Sequence, residues 1–306
     1  MIKRTLEISS EPLHLTVKND QLLLLAKDDA RTQRAAVPCE DIGLLLVEHA
    51  GTTYSHAALT ALLRHGAALV VCGRNHLPAG LLLPIGEHTQ VVPRVHQQIA
   101  LKKPLRKQLW KQVVQAKIRA QAANLPPGSP TRLRLAVLAR EVRSGDPANI
   151  EAQAAKVYWG GFRDLLDDPA FRRDRDGCVP NNLLNYGYAI VRAAVARALV
   201  AAGLLPALGI HHRHRANAFA LADDLVEPLR GLVDARVLGL VRDGRTELGR
   251  PAKTALLELL TLSLRTGEQV GPLMVALHRY VASLVRCYEG RSRRLEIPVQ
   301  EAGPCT

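Results

Sequence analysis

Apolar positions fall in short runs over the first ninety residues and in long helical repeats after them. Leu13–Val17, Leu22–Leu25, Leu44–Val47 and Leu69–Cys72 are too brief for helices and are bounded by turn residues, so they read as strands. Asn19-Asp20 between the first two is a hairpin signal. Tyr54–Arg64, closed by Gly66, reads as one helix linking two strands. Cys72-Gly73-Arg74-Asn75 and Pro78-Ala79-Gly80 are turn chemistry.

Beyond Pro93 the pattern predicts long helices. One is broken at Pro126-Pro127-Gly128, and another follows from Thr131. Asp146-Pro147 starts a helix that runs through Trp159 and stops at Gly160-Gly161. Asp164–Cys178 is polar and reads as a loop. Asn181 to Gly203 is a long aliphatic helix, and Asn217 caps another with Leu221, Leu225 and Leu229 as its buried stripe. Val237–Leu248, around Asp243-Gly244, reads as a small hairpin. Lys253–Arg265 and Pro272–Tyr288 read as helices, and the tail from Arg291 as loose. The expected fold is α+β, with a small β-rich N-terminal domain over residues 1–90 and a larger all-α domain over 91–306.

Charge sharpens the division. The 306-residue chain carries a net charge of +13, yet residues 1–87 hold eight Lys/Arg against nine Asp/Glu. Residues 88–140 contain no acid at all and eleven basic residues: Arg94, Lys102, Lys103, Arg106, Lys107, Lys111, Lys117, Arg119, Arg132, Arg134 and Arg140. A solvated helix mixes both signs, so a stretch of one sign points to a polyanion, most simply nucleic acid. The near-neutral first part reads as a packing or dimerisation domain.

Five scattered cysteines (Cys39, Cys72, Cys178, Cys287, Cys305) show no paired spacing. They argue for a reducing cytoplasm and against a zinc module or a disulfide framework. MIKRTLEISS has no apolar signal region. The longest apolar run, Ala193–Ile210, is interrupted by Arg197 and Pro206 and reads as a buried helix rather than a membrane span. Phosphate-loop, dinucleotide, H-E-x-x-H and paired C-x-x-C motifs are all missing, which removes the usual markers of nucleotide hydrolysis, dinucleotide redox and zincin proteolysis.

The candidate chemistry lies in GLLPALGIHHRHRANAFALADDLVEPLRGLVD, residues 203–234. His211, His212 and His214 precede Asp223, Asp224 and Glu227. On one helix Asp224 and Glu227 are three apart and Asp223 and Glu227 four apart, so either pair can converge on one ligand. Imidazole with carboxylates is a hard-leaning donor set, suited to Mg²⁺ or Mn²⁺. The same acids, opposite a leucine stripe, also fit the wet face of an amphipathic helix. Glu151 stands among Ala152, Ala154 and Ala155, where a substrate or another backbone can come close; a surface glutamate reads the same way.

IEAQAAKVYWGGF, NNLLNYGYAIVRAAV and LGIHHRHRANAFALADDLVEPLRGLVD together resemble the CRISPR-associated spacer integrase, the larger subunit of the adaptation complex. The ADDLVEPLR wording is similar to the branch that accompanies single-protein RNA-guided effectors. The resemblance implies a metal site of Glu151, His212 and Glu227. Gly209 of G-x-x-H would select His212 over its neighbours, and Asp224 of D-x-x-E would sit beside the metal. It implies Mg²⁺ or Mn²⁺, a homodimer, a small second subunit, and double-stranded prespacer and repeat DNA. The basic helices, with Lys102, Lys103, Arg106, Lys107, Lys111, Lys117 and Arg119, would face the phosphates. Two residues depart from the family pattern: Ala152 where glycine is frequent and Lys156 where arginine is. Pro228 removes a helical hydrogen bond and predicts a break that aims Glu227. The expected activity is insertion of DNA by 3′-hydroxyl transesterification. The alternatives are a metal-dependent nuclease of branched DNA and a non-catalytic DNA-binding scaffold.

Overall fold

The computed structural model describes residues 3–73, 77–86, 88–174, 177 and 179–300. Residues 74–75 of the first expected turn, and Cys178 and Cys305, lie outside them. The N-terminal region folds as β1 (Arg4–Ile8), β2 (Leu13–Lys18), β3 (Gln21–Ala26), β4 (Gln33–Pro38), β5 (Ile42–Val47), β6 (Thr53–Tyr54), α1 (His56–Arg64), β7 (Ala68–Cys72) and β8 (Pro78–Leu82). One sheet has the order β4-β3-β2-β6 and the other β1-β5-β7-β8. Asn19 and Asp20 both adopt positive φ between antiparallel β2 and β3, as a tight hairpin turn requires. Ser55 caps α1 by accepting the Ala58 N–H at 3.1 Å.

Strand β5 is buried at all six positions because both of its faces are covered. Ile42, Leu45 and Val47 turn to a small core closed by α1, while Leu44 and Leu46 turn to the large helical core. The helical region is α2 (Val91–Ile99), α3 (Lys103–Ala123), α4 (Pro130–Glu141), α5 (Ile150–Leu166), α6 (Asn181–Ala201) and α7 (Ala220–Val226). Then come a 3-10 turn (Glu227–Leu229), α8 (Arg230–Arg242), α9 (Arg250–Leu257), the β9–β10 pair (Ser263–Thr266 and Gln269–Pro272) and α10 (Leu273–Tyr288). Helix α6 is the one described helix long and apolar enough to cross a membrane, and it is largely covered by other parts of the chain. Gly187 on α6 lets α8 come so close that a Cβ there would sit 2.5 Å from Val233 Cγ1.

Several expectations are corrected. Pro78–Leu82 is an edge strand, not a turn, and β1 forms from a segment that had suggested none. The C-terminal region is not all-α: Lys253–Arg265 splits into α9, a 3-10 turn and β9, which turns at Gly267 (φ 62°) into antiparallel β10. The hairpin expected over Val237–Leu248 is instead the end of α8, closed by Gly244 at φ 72°. Helix α5 runs through Gly160 and Gly161, because Gly161 packs where Thr131 and Leu125 leave no room for a Cβ. The tail is docked through 300: Leu295 is buried and Val299 pairs with Arg265.

Candidate metal and nucleic-acid site

Asp146 fixes the start of α5. Its carboxylate accepts the N–H groups of Ile150 and Glu151, each at 2.9 Å, so Glu151 stands in the first helical turn. The helix dipole favours an acid there. Helix α3 crosses this end of α5 and carries Lys117 inward from the row Val113, Val114, Ile118 and Gln121, all buried.

Glu227 arrives from the other side. The α7 helix stops one residue before it, and Pro228 turns the chain through the 3-10 segment before α8 resumes at Arg230. The break expected at Pro228 is present. Gly231 permits this approach: a Cβ on it would lie 2.9 Å from the Ala120 backbone of α3. The result places Lys117 Nζ 2.7 Å from Glu151 Oε1 and 2.6 Å from Glu227 Oε2. Two carboxylates distant in sequence thus share one cation.

Arg230 secures the other oxygen, its Nε 2.9 Å from Glu227 Oε1. Burial alone would raise the Glu227 carboxyl, but Arg230 and Lys117 overcome it and hold the pKa down to about 2. Burial would likewise lower Lys117, and Glu227 and Glu151 more than reverse that. Glu227 Oε2 is buried, and among the described residues its one close partner is the Lys117 ammonium at 2.6 Å.

The histidine comes from the loop between α6 and α7. Asp224 is fully buried and organises that loop. Its Oδ2 accepts the N–H groups of Ile210 (2.6 Å) and His211 (3.0 Å), and its Oδ1 those of His212 (3.2 Å) and His212 Nδ1 (2.7 Å). The hydrogen bond to Asp224 raises the His212 pKa against burial. With Nδ1 so engaged, Nε2 is the nitrogen left for a ligand. Gly209 is obligatory, since a Cβ there would meet the His212 carbonyl at 2.4 Å. Trp110 of α3 stacks flat on His211, ring centroids 4.1 Å apart, and meets His212 edge-on.

The expected residues are therefore brought together only in part. Glu151 and Glu227 converge, and His212 is aimed by Asp224. Among the described residues no three His, Cys, Asp or Glu side chains stand close enough to hold one metal ion. Neither Asp223 nor Asp224 converges with Glu227: Asp223 turns to Asn217 (2.8 Å) and lies 3.8 Å from Arg192. His214 is exposed on the loop. The donor set still fits a divalent cation, because a pair of carboxylates already closes on one positive charge beside an oriented imidazole.

Of the expected phosphate-facing cations, Lys102, Lys103, Lys107 and Arg119 are exposed, while Arg106 and Lys111 are half-buried, Arg106 donating to Gln98 O. Lys117 is not among the exposed ones; its side chain is 12% accessible and held by acids. Sequence reasoning also missed the polar network behind the site. Arg230 lies 4.5 Å over the Tyr188 ring, and Tyr188 and Tyr158 both donate to buried Asp234.

A family model described as CRISPR associated protein Cas1 matches residues 6–250. The CRISPR-associated endonuclease Cas1 of Neisseria meningitidis serogroup C (strain 8013) is 37% identical over 289 residues, 93% of this chain and 92% of its own length. Among solved structures, a casposase bound to integration product superposes with a TM-score of 0.78 at 18% identity, covering 97% of this chain and 93% of that one. A chain of a Cas6-RT-Cas1–Cas2 complex gives 0.77 at 18% identity, covering 98% of this chain and 36% of that one.

Proposed function

Since this chain belongs to the Cas1 family of CRISPR-associated proteins, we propose that it is a metal-dependent DNA integrase that inserts DNA segments into a CRISPR array. The observation that carries the reading is the convergence of Glu151 and Glu227 on one cation, beside a loop in which Asp224 aims His212. Glu151, Glu227 and His212 Nε2 would hold Mg²⁺ or Mn²⁺. When bound, the ion supplies Lewis acidity to a phosphoryl oxygen and charge stabilisation to a leaving 3′-oxygen.

The chain's own residues do the rest. Lys102, Lys103 and Lys107, exposed together at the start of α3, neutralise backbone phosphates and seat the duplex, with Arg119 exposed on another side of the same helix. In the neutral imidazole, Asp224 draws the proton to Nδ1 and so directs Nε2 toward a ligand. Arg230 keeps Glu227 ionised and in place. Attack by a DNA 3′-hydroxyl exchanges one phosphodiester for another, so no nucleotide hydrolysis is needed.

The working form is a cytoplasmic homodimer with a small second subunit and double-stranded DNA. The solved Cas1–Cas2 assembly and the casposase bound to its integration product support that choice of partners.

The test is direct. Protein, partner subunit, blunt duplex and a repeat-bearing plasmid are combined with Mn²⁺ or Mg²⁺, and joined products are separated from merely cut ones. Joining that disappears with EDTA, and in Glu151→Ala, His212→Ala and Glu227→Ala, is the expected result. Joining by any of these three variants at the wild-type rate sinks the site.

A further inference from the structure

We propose that Lys117 is a built-in placeholder cation: it holds Glu151 and Glu227 together while no divalent ion is bound, and must be expelled for one to enter. The inference rests on the metal-site reading above and concerns what sets the strength of that site.

Three observations carry it. The Lys117 ammonium lies 2.7 Å from Glu151 Oε1 and 2.6 Å from Glu227 Oε2, spanning the two acids where a shared ion would sit. A magnesium or manganese ion bound to the same oxygens, at roughly 2.1 Å, leaves no space for an ammonium bridging them. Charge says the same. Glu151 and Glu227 are balanced by Lys117 and Arg230, so the cluster is already neutral without metal. Adding a divalent ion while the ammonium stays would pile like charges in a poorly solvated place.

The pair is also built to release. Lys117 meets Glu227 Oε2 as an ion pair at 2.6 Å, a charge contact that a competing cation can replace. A lysine on its flexible four-carbon stem can swing away, which an arginine in a bidentate fork could not do as readily. Arg230 remains on Glu227 Oε1 and keeps that carboxylate oriented through the exchange.

In such a competition the apparent dissociation constant is the intrinsic one divided by the fraction of molecules in which Lys117 has withdrawn. If that fraction is about one in ten, removing the ammonium tightens binding about tenfold. The metal-free protein should pay in stability, because two facing carboxylates lose their common partner.

The experiment measures Mn²⁺ binding to DNA-free protein by water-proton relaxation, and thermal melting with and without Mn²⁺. Wild type, Lys117→Met, Lys117→Gln and Glu227→Gln are compared. The expected result is about tenfold tighter Mn²⁺ binding in both Lys117 variants, a lower melting temperature without metal, and a larger rise when Mn²⁺ is added. Lys117→Gln, which keeps polar contacts, gives the affinity if Lys117→Met does not fold. If Glu227→Gln abolishes Mn²⁺ binding while the Lys117 variants bind as wild type or more weakly, the metal site stands and the placeholder is overturned. If neither wild type nor the Lys117 variants bind Mn²⁺, or Glu227→Gln leaves binding intact, the metal-site reading itself is overturned and the placeholder with it.

Discussion

Asp224 Oδ1 lies 2.7 Å from His212 Nδ1, and the same carboxylate receives three consecutive backbone N–H groups of the loop that carries the histidine. One buried acid therefore sets both the path of the loop and the ring's orientation. Asparagine at 224 keeps one acceptor oxygen and turns an NH₂ toward donors. Asp224→Asn should lose about 1–3 kcal/mol of stability and roughly ten- to hundredfold in metal affinity. The decisive measurement is an NMR titration of the imidazole. The His212 pKa, raised by Asp224, should fall back toward its ordinary value; an unchanged value would show that the pairing does not matter.

Glu227 and His212 should separate function from stability. The Glu227 side chain is 5% accessible and clasped by Lys117 and Arg230, whereas His212 is 40% accessible. Glu227→Gln leaves two half-buried cations short of their partner and should cost about 1–3 kcal/mol, along with all strand joining. His212→Ala should abolish joining with a stability change within about 1 kcal/mol. Urea unfolding beside a joining assay reads both. A destabilised His212→Ala would place that ring in the core rather than at a site.

Gly209→Ala tests the loop from its backbone. The new methyl carbon would stand 2.4 Å from the His212 carbonyl and 3.0 Å from Asp224 Oδ2. Relief requires moving the histidine, so the expected loss is about 1–3 kcal/mol of stability and most of the joining activity. Full activity would mean that the loop position is not critical.

The extent to which these features could be read from the sequence followed their range along the chain. Asn19-Asp20 and Pro228 act locally, and both did what their backbone chemistry demands. The second sheet was harder, because β1 is completed by β5, which lies far off in sequence, and β8 opens on Pro78-Ala79-Gly80, which reads as a turn when taken alone. Val237–Leu248 looked like a hairpin because β-branched and glycine residues there share a helix fixed by packing of α8 against α6 and α3. Glu151, His212 and Glu227 were found through family resemblance, not periodicity. Lys117 had a usable signal: it falls on the same helical face as Val113, Val114, Ile118 and Gln121, so it points inward. Reading it only as part of an acid-free run hid that. The Asp234 network had no local signal, since Tyr158, Tyr188 and Asp234 come from three helices.

Asp234 gives a pH signature. Burial raises its carboxyl from 3.8 to about 6, although the Tyr188 and Tyr158 hydrogen bonds and Arg230 pull the other way. The folded state then holds the proton more tightly than the unfolded one. This contribution to stability is greatest below 3.8 and is lost as pH rises through about 6. It amounts to about 3 kcal/mol over that window. Asp234→Asn should flatten this part of the profile, seen as a smaller change in urea midpoint between acid and neutral pH. A profile identical to wild type would mean that Asp234 binds its proton equally well in the folded and unfolded chain.

DNA binding should sort the basic residues by exposure rather than by charge alone. Lys103 and Lys107 are open to solvent on α3, while Lys117 on the same helix is enclosed by Glu151 and Glu227. A cation that neutralises a phosphate releases a counterion, and each such contact contributes about 0.9 to the slope of log affinity against log salt. Lys103→Ala and Lys107→Ala should each lower the slope by about that amount and weaken binding similarly on unrelated sequences. Lys117→Gln, measured in EDTA, should leave the slope unchanged because its charge is already spent on carboxylates. If instead Lys117→Gln lowered the slope and the two exposed variants did not, the duplex would have to run over the acidic pair rather than along the basic face of α3.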